Sequence, residues 1–286
     1  MKHVLPCGHF HQIFKVPTDQ LYYLWKIDKK RFVKMMFRSV QRAYLKEFKQ
    51  MGITPGVFMV FQSHGERICV QLHVHCAVSM GGVTKDGDWV PIKKLNEKRL
   101  ESNYRRFFFE EMDRLYKNPK WSVPYLFARN CNEKKVTLYT TVHKESAEAI
   151  ISYLSKSLCG LIVWEDDLTF DRERDMAIIH DRKNDRDYEL SADEFMRRYW
   201  EHVPTDGEVL IRHYGLYSNR YKDTREAIRH RVFKDRIQKE DSVEVCSECG
   251  APLRVEREFT YDTIPLEIRL HLNKGSPPKH GELLAA

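Results

Sequence analysis

Strict two-residue alternation over Gln71-Leu72-His73-Val74-His75-Cys76-Ala77-Val78 constrains the fold of this chain more than any other stretch. With period two, Leu72, Val74, Cys76 and Val78 share one face of a strand, and Gln71, His73, His75 and Ala77 share the other. The two imidazoles then stand side by side, about 7 Å apart at their Cα atoms. Two ring nitrogens at that spacing can reach one divalent ion, since imidazole is the commonest metal ligand. The alternative is a pair of polar residues on the solvated face of an edge strand.

The flanking sequence supplies a hairpin and helices for this strand. Val57 to Gln62 reads as a strand and residues 63–67 as a turn, so the histidine strand over 68–79 is the second arm of a hairpin. Residues 3–16 read as a first strand closed by Pro17, carrying His3, His9 and His11. Apolar residues from Phe32 to Phe48 recur at three and four, which predicts an amphipathic helix over 29–51, ended by Gly52 and Pro55. A second long helix is predicted over 95–116, a strand over 136–142, and a short helix over 145–158 that stops at Gly160. Residues 161–189 read as a β-meander. Ser191-Ala192-Asp193-Glu194 is a capping box for a helix ending near His202. A strand over 209–217 and a basic helix over 224–238 follow. The pattern predicts an α+β fold: an antiparallel sheet with flanking helices, then a C-terminal β-meander and helical extension. Three segments are expected: 1–160, 161–240 and 241–286.

Composition narrows the class. The chain has 286 residues with 48 Lys+Arg against 41 Asp+Glu, a net charge of +7 that suits a nucleic-acid partner. Basic segments at 26–49 and 220–239, interleaved with apolar residues, could lie along phosphates or be solvated helix faces. No apolar run reaches the length of a membrane span, and the N-terminus lacks the apolar core of a signal peptide. Seven scattered cysteines argue against a disulfide framework and for a reducing cytosol.

Tyr153, on the helix at 145–158, supplies the other half of a site. A tyrosine facing a two-histidine metal centre can attack a phosphodiester while the metal polarises the phosphate. Otherwise it is a half-buried helical tyrosine. These segments resemble the rolling-circle insertion-sequence transposases called IS ninety-one-like, in the HUH endonuclease superfamily with Helitrons and relaxases. The resemblance runs through most of the chain: residues 3–17, the histidine strand followed by Gly81-Gly82, Ser152-Tyr153-Leu154-Ser155-Lys156, and residues 191–219.

The resemblance implies an HUH endonuclease-like fold and a metal-dependent enzyme that nicks and rejoins single-stranded DNA in rolling-circle transposition. His73 and His75 hold Mg²⁺ or Mn²⁺, and Tyr153 forms a covalent 5′-phosphotyrosine. The third metal ligand is expected at His11, where the family also has a histidine; Gln71, His64 and Glu66 are further candidates. Lys156, Arg197, Arg198 and Arg212 are the expected DNA contacts, and the partners are single-stranded DNA, element ends and target DNA, with no membrane. Many family members carry a second tyrosine four residues on. Here that position is Ser157, so the chemistry rests on Tyr153. Members usually carry an N-terminal zinc-binding module, and this chain is expected to lack it.

Other readings use the same residues: a copy that binds DNA ends without cutting, or a rolling-circle replication initiator or relaxase. Cys246-x-x-Cys249 is half of a structural zinc site, with His230 and His271 as possible completing ligands. Tyr214 and Tyr217 are rival nucleophiles, read as packing or DNA-contact residues.

Overall fold

The computed structural model describes residues 4–116, 130–141, 150, 163, 165–182 and 184–234. Its central sheet is antiparallel. Strands β1 (His9–Lys15), β2 (Thr54–His64), β3 (Val70–Val83), β4 (Trp89–Pro91), β5 (Thr137–Thr140) and β9 (Ile211–Gly215) run in the order β5-β1-β3-β2-β9, with β4 pairing β3. The hairpin β2–β3 is its centre. Strand β9, from the second expected segment, joins the sheet of the first by pairing with β2. Gly215 ends it at φ 58°, where a Cβ would lie 1.9 Å from the Pro55 carbonyl oxygen, so only glycine fits.

One face of the sheet is covered by helices α1 (Thr18–Ile27), α2 (Lys29–Gln50) and α3 (Glu97–Tyr116). Phe10 and Phe14 of β1, Met59 and Phe61 of β2, and Leu72, Val74, Cys76 and Val78 of β3 form a continuous core with them. The Phe14 ring meets Tyr44 of α2 and Tyr104 of α3 edge-on, at centroid distances of 5.5 and 4.8 Å. α2 and α3 are also tied by charge. Arg99 donates to both oxygens of the fully buried Glu47 carboxylate at 2.7 and 2.6 Å, and Arg42 donates to Glu110 and Glu111. Such bidentate pairs fix the relative orientation of two helices. Helix α1 was not anticipated from the sequence. It follows Pro17 with no side-chain cap, and Asp28 separates it from α2 by capping the Arg31 amide.

Strands β6 (Leu168–Asp171), β7 (Met176–Asp181) and β8 (Arg186–Ser191) form the expected meander. Half of the capping box is present: Ser191 Oγ accepts from the Glu194 amide at the start of α4 (Ala192–His202), while the Glu194 carboxylate pairs with Arg197 and Arg198. This layer packs through Ala177, Ile179 and Phe195 onto Ile68, in the turn between β2 and β3. Arg67 and Ile68 both have positive φ, 57° and 55°, and a β-branched residue there is strained. His202 and Arg198 of α4 hold this turn by donating to the Ile68 and Arg67 carbonyls at 3.0 and 3.1 Å. Helix α5 (Lys222–Val232) turns Arg225 inward, where it donates to the Leu216 carbonyl. Among the described residues no helix is long and apolar enough to cross a membrane.

Candidate metal centre

The histidine pair lies at the middle of the sheet, not on a solvated edge. β3 is flanked by β1 and β2, and His73 and His75 are only 5% and 7% exposed. The alternation assigned the faces correctly, while the neighbours that bury the second face are long-range and invisible in a local pattern. Cross-strand register builds a grid there. Lys15, His73 and Gln62 form one row; Tyr139, Ile13, His75, Val60 and Ile211 form the next; His11, Ala77, Phe58 and His213 form the third. Ile150, a helical residue, is buried against Ala77 on this face.

Three atoms converge on one point of the grid. The Nε2 atoms of His73 and His75 are 3.0 Å apart, and Gln62 Oε1 lies 3.1 Å from the first and 2.9 Å from the second. Tautomers follow from the surrounding partners. His73 Nδ1 donates to the Gln71 carbonyl at 2.7 Å, which leaves its Nε2 as a lone pair. The Gln62 amide nitrogen donates to His64 Nε2 at 2.9 Å, which turns its oxygen toward the histidines. A proton on His75 Nε2 can serve only one of these two acceptors at a time. A divalent cation serves all three.

The spacing suits one. Two bonds of about 2.1 Å meeting at a right angle put their donor atoms about 3.0 Å apart, the geometry of one face of an octahedron. Burial pushes His73 down to about 4 and His75 down to about 3, so both are neutral at pH 7, as metal ligation requires. His64 is likewise pushed down to about 4 by burial.

Among the described residues no group of three His, Cys, Asp or Glu side chains is placed to hold a metal; the third atom that converges with the two imidazoles is the Gln62 amide oxygen. Gln62 was missed at the sequence level. The signal that could have found it is the hairpin register, which pairs Gln62 directly with His73. His11, the expected third ligand, stands behind His75: its Nε2 is 3.1 Å from His75 Nδ1, the nitrogen that faces away from Gln62. Its own Nδ1 is 2.5 Å from Thr141 Oγ1. Gln71 contributes its carbonyl to His73 while its side chain is exposed.

A family model described as "Putative transposase" matches residues 56–225, more than half of the 286 residues. The chain belongs to this transposase family. The matched span holds Gln62, His73 and His75, and it also takes in the meander, α4 and β9. The chain is similar, at 24% identity over 260 residues, to a Sinorhizobium fredii protein described as "Putative transposase y4qJ". That alignment covers 78% of this chain and 62% of the relative, so the chain spans less than two thirds of the relative's length.

Within this family member, the remaining expected site residues fall into two groups. Tyr153, Lys156, Ser157, Cys246, Cys249 and His271 lie outside the described residues. Arg197 and Arg198 are engaged within α4: Arg197 donates to Glu194 and Glu201, and Arg198 donates to Glu194. Arg212 sits on β9 opposite Met59 and is exposed. Tyr217 is fully buried with its hydroxyl 2.6 Å from His9 Nε2, and burial raises its pKa well above that of a free phenol. Tyr214 is partly buried, and burial raises its pKa as well. Both fit packing roles. Cys7, Cys76 and Cys131 are buried, whereas Cys69 is exposed.

Proposed function

We propose that this transposase nicks and rejoins single-stranded DNA through a covalent tyrosine intermediate, in rolling-circle transposition of the HUH type. The convergence of His73 Nε2, His75 Nε2 and Gln62 Oε1 carries this reading. Three neutral acceptors on the buried floor of a sheet would hold Mg²⁺ or Mn²⁺, with the remaining positions open to phosphate oxygens and water. When bound, the ion acts as a Lewis acid on the scissile phosphate.

The chain's own residues supply the rest. His73 is locked in orientation by the Gln71 carbonyl, Gln62 by His64, and His75 by His11 and Thr141 behind it, the outer-shell support that metal ligands need. In this reading His11 positions His75, and Gln62 is the third ligand. Tyr153 Oη attacks phosphorus, the new P–O bond replaces the P–O3′ bond, and the departing O3′ takes up a proton as the phenol loses one. The product is a 5′-phosphotyrosine and a free 3′-hydroxyl, and the reverse attack by a 3′-hydroxyl rejoins the strand. Ile150 is in keeping with this reading: it is helical and packs on Ala77, two residues along the strand from His75, and Tyr153 follows it three residues later in the sequence.

Labelled single-stranded oligonucleotide incubated with the chain and Mn²⁺ tests this directly. The expected result is a denaturant-resistant protein–DNA band that disappears in Tyr153→Phe and in His73→Ala/His75→Ala. An adduct of undiminished yield in Tyr153→Phe overturns the nucleophile. Ser157, which stands where many relatives of this type carry a second tyrosine, favours one further reading: a protein that binds DNA ends without cutting. Tight binding with no nicking in either metal selects that reading.

A further inference from the structure

Among the described residues the histidine face carries one large exposed aromatic, and it stands apart from the histidine pair. Tyr139 of β5 is 53% exposed and pairs with Ile13, which in turn pairs with His75. Direct partners share a face, so the Tyr139 ring stands on the same side of the sheet as the histidines. Two strand spacings put its Cα about 10 Å from that of His75. The other exposed aromatics among the described residues, Tyr23, Phe170 and Trp200, belong to α1, the meander and α4.

Between Tyr139 and the metal centre lies a cation. Lys15 pairs with His73 across β1 and β3, and its Nζ is 5.0 Å from the centroid of the Tyr139 ring. Most arginines among the described residues are spent on carboxylates, as with Arg42, Arg99, Arg114, Arg174 and Arg197. Lys15 has no carboxylate partner among the described residues, and only the aromatic ring takes its charge.

We infer that Tyr139 and Lys15 form a nucleotide subsite beside the histidine centre. The ring stacks one base of the single strand, and the ammonium takes the phosphate between that base and the phosphate under attack. A base-stacking ring next to a backbone-tracking cation is the general chemistry of single-strand binding, tolerant of sequence because every base has a π-face. The subsite rests on the proposed single-strand DNA activity and adds to it a residue that sets where the strand lies before cleavage. Duplex DNA, whose bases are already stacked, cannot use the ring.

Fluorescence anisotropy of the full chain with a short labelled oligonucleotide, together with adduct formation, tests the subsite. Tyr139→Ala is expected to weaken single-strand binding by about 5- to 150-fold, the range for losing one stacked base, while Tyr139→Trp retains it. Lys15→Gln should lower the slope of log affinity against log salt by about 0.7, the value for one phosphate contact on a single strand. Moving one abasic site along the oligonucleotide should reveal a position where the parent loses affinity and Tyr139→Ala loses nothing further. A merely structural role for Tyr139 does not produce that position-specific pattern. A parent that forms the adduct while Tyr139→Ala binds equally well, or shows the same abasic profile, overturns the subsite alone. A parent that prefers duplex DNA and forms no adduct overturns both the subsite and the activity it rests on.

Discussion

The two faces of the central sheet are made from the same strands and alternate residue by residue, yet they are built on opposite principles. On the helix-covered face Leu72, Val74, Cys76 and Val78 meet Phe14, Phe61 and the aromatic rows of α2 and α3, and stability comes from apolar area removed from water. On the other face His73, His75 and His11 are nearly as deeply placed and Gln62 is half-buried, but their polar atoms point at one another. Burial on the first face holds the fold. On the second it keeps imidazoles neutral and aimed, a state that costs stability unless something is bound there.

Truncation should separate the faces most sharply. Phe14→Ala removes a fully buried ring held edge-on between Tyr44 and Tyr104, and is expected to cost about 3–5 kcal/mol in urea unfolding at pH 7. His73→Ala on the opposite face removes a side chain of comparable burial and should cost clearly less, because it also removes an acceptor crowded by two others. Equal losses for the two variants would mean that the histidine face is ordinary core.

Acid should attack only the second face. Burial holds His73 at about 4 and His75 at about 3, below the 6.5 of an exposed imidazole. The unfolded chain therefore binds these protons first as pH falls, so their contribution is intact above pH 6.5 and is lost as pH drops toward 4 and 3. Each histidine contributes up to about 1.4 kcal/mol per pH unit in that window, or up to about 4 kcal/mol for the pair between pH 6.5 and 5. In chelator-treated protein His73→Gln/His75→Gln should flatten the acid limb of the stability curve. An unchanged limb would show that the rings are solvated.

Metal should then restore what acid removes. Mn²⁺ at about a hundred times its dissociation constant is expected to add about 2.7 kcal/mol to folding stability at pH 7. The gain should survive in Phe14→Ala, whose defect lies across the sheet, and vanish in His75→Ala. Gln62→Leu should weaken Mn²⁺ binding in calorimetric titration more than His11→Leu weakens it. The reverse order would return His11 to the place of third ligand.

Much of this contrast was legible in the residues. Period two assigned the faces of β3, the recurrence from Phe32 to Phe48 located α2, and the capping box located α4, because each signal is local. Three features were not legible, each for a physical reason. The partner of β2 is β9, about 150 residues away, and no local pattern encodes such a pairing. The third donor depends on the register of the hairpin, and that register is set by a strained turn at Arg67–Ile68 which the meander and α4 hold in place. Arg197 and Arg198 looked available for phosphate in the sequence, but Glu194 lies three and four residues before them on the same helix.

The smallest effect probes the one polar side chain of β1 on the apolar face. Gln12 is fully buried there; its Oε1 accepts from the Tyr44 hydroxyl at 2.7 Å and its Nε2 donates to Thr140 Oγ1 at 3.1 Å. It has a complementary protein partner for each end. Gln12→Leu should therefore cost about 1–3 kcal/mol, mostly because the Tyr44 hydroxyl is left with only the weak acceptor Cys76. Adding Tyr44→Phe should recover most of that loss, since removing both partners leaves an apolar surface of nearly the same shape. On the other face Gln62→Leu instead removes an oxygen that two imidazole nitrogens share. If Gln12→Leu/Tyr44→Phe instead costs the sum of its single changes, the polar contact on the helix side is not a matched pair, and the distinction between the two faces loses its simplest support.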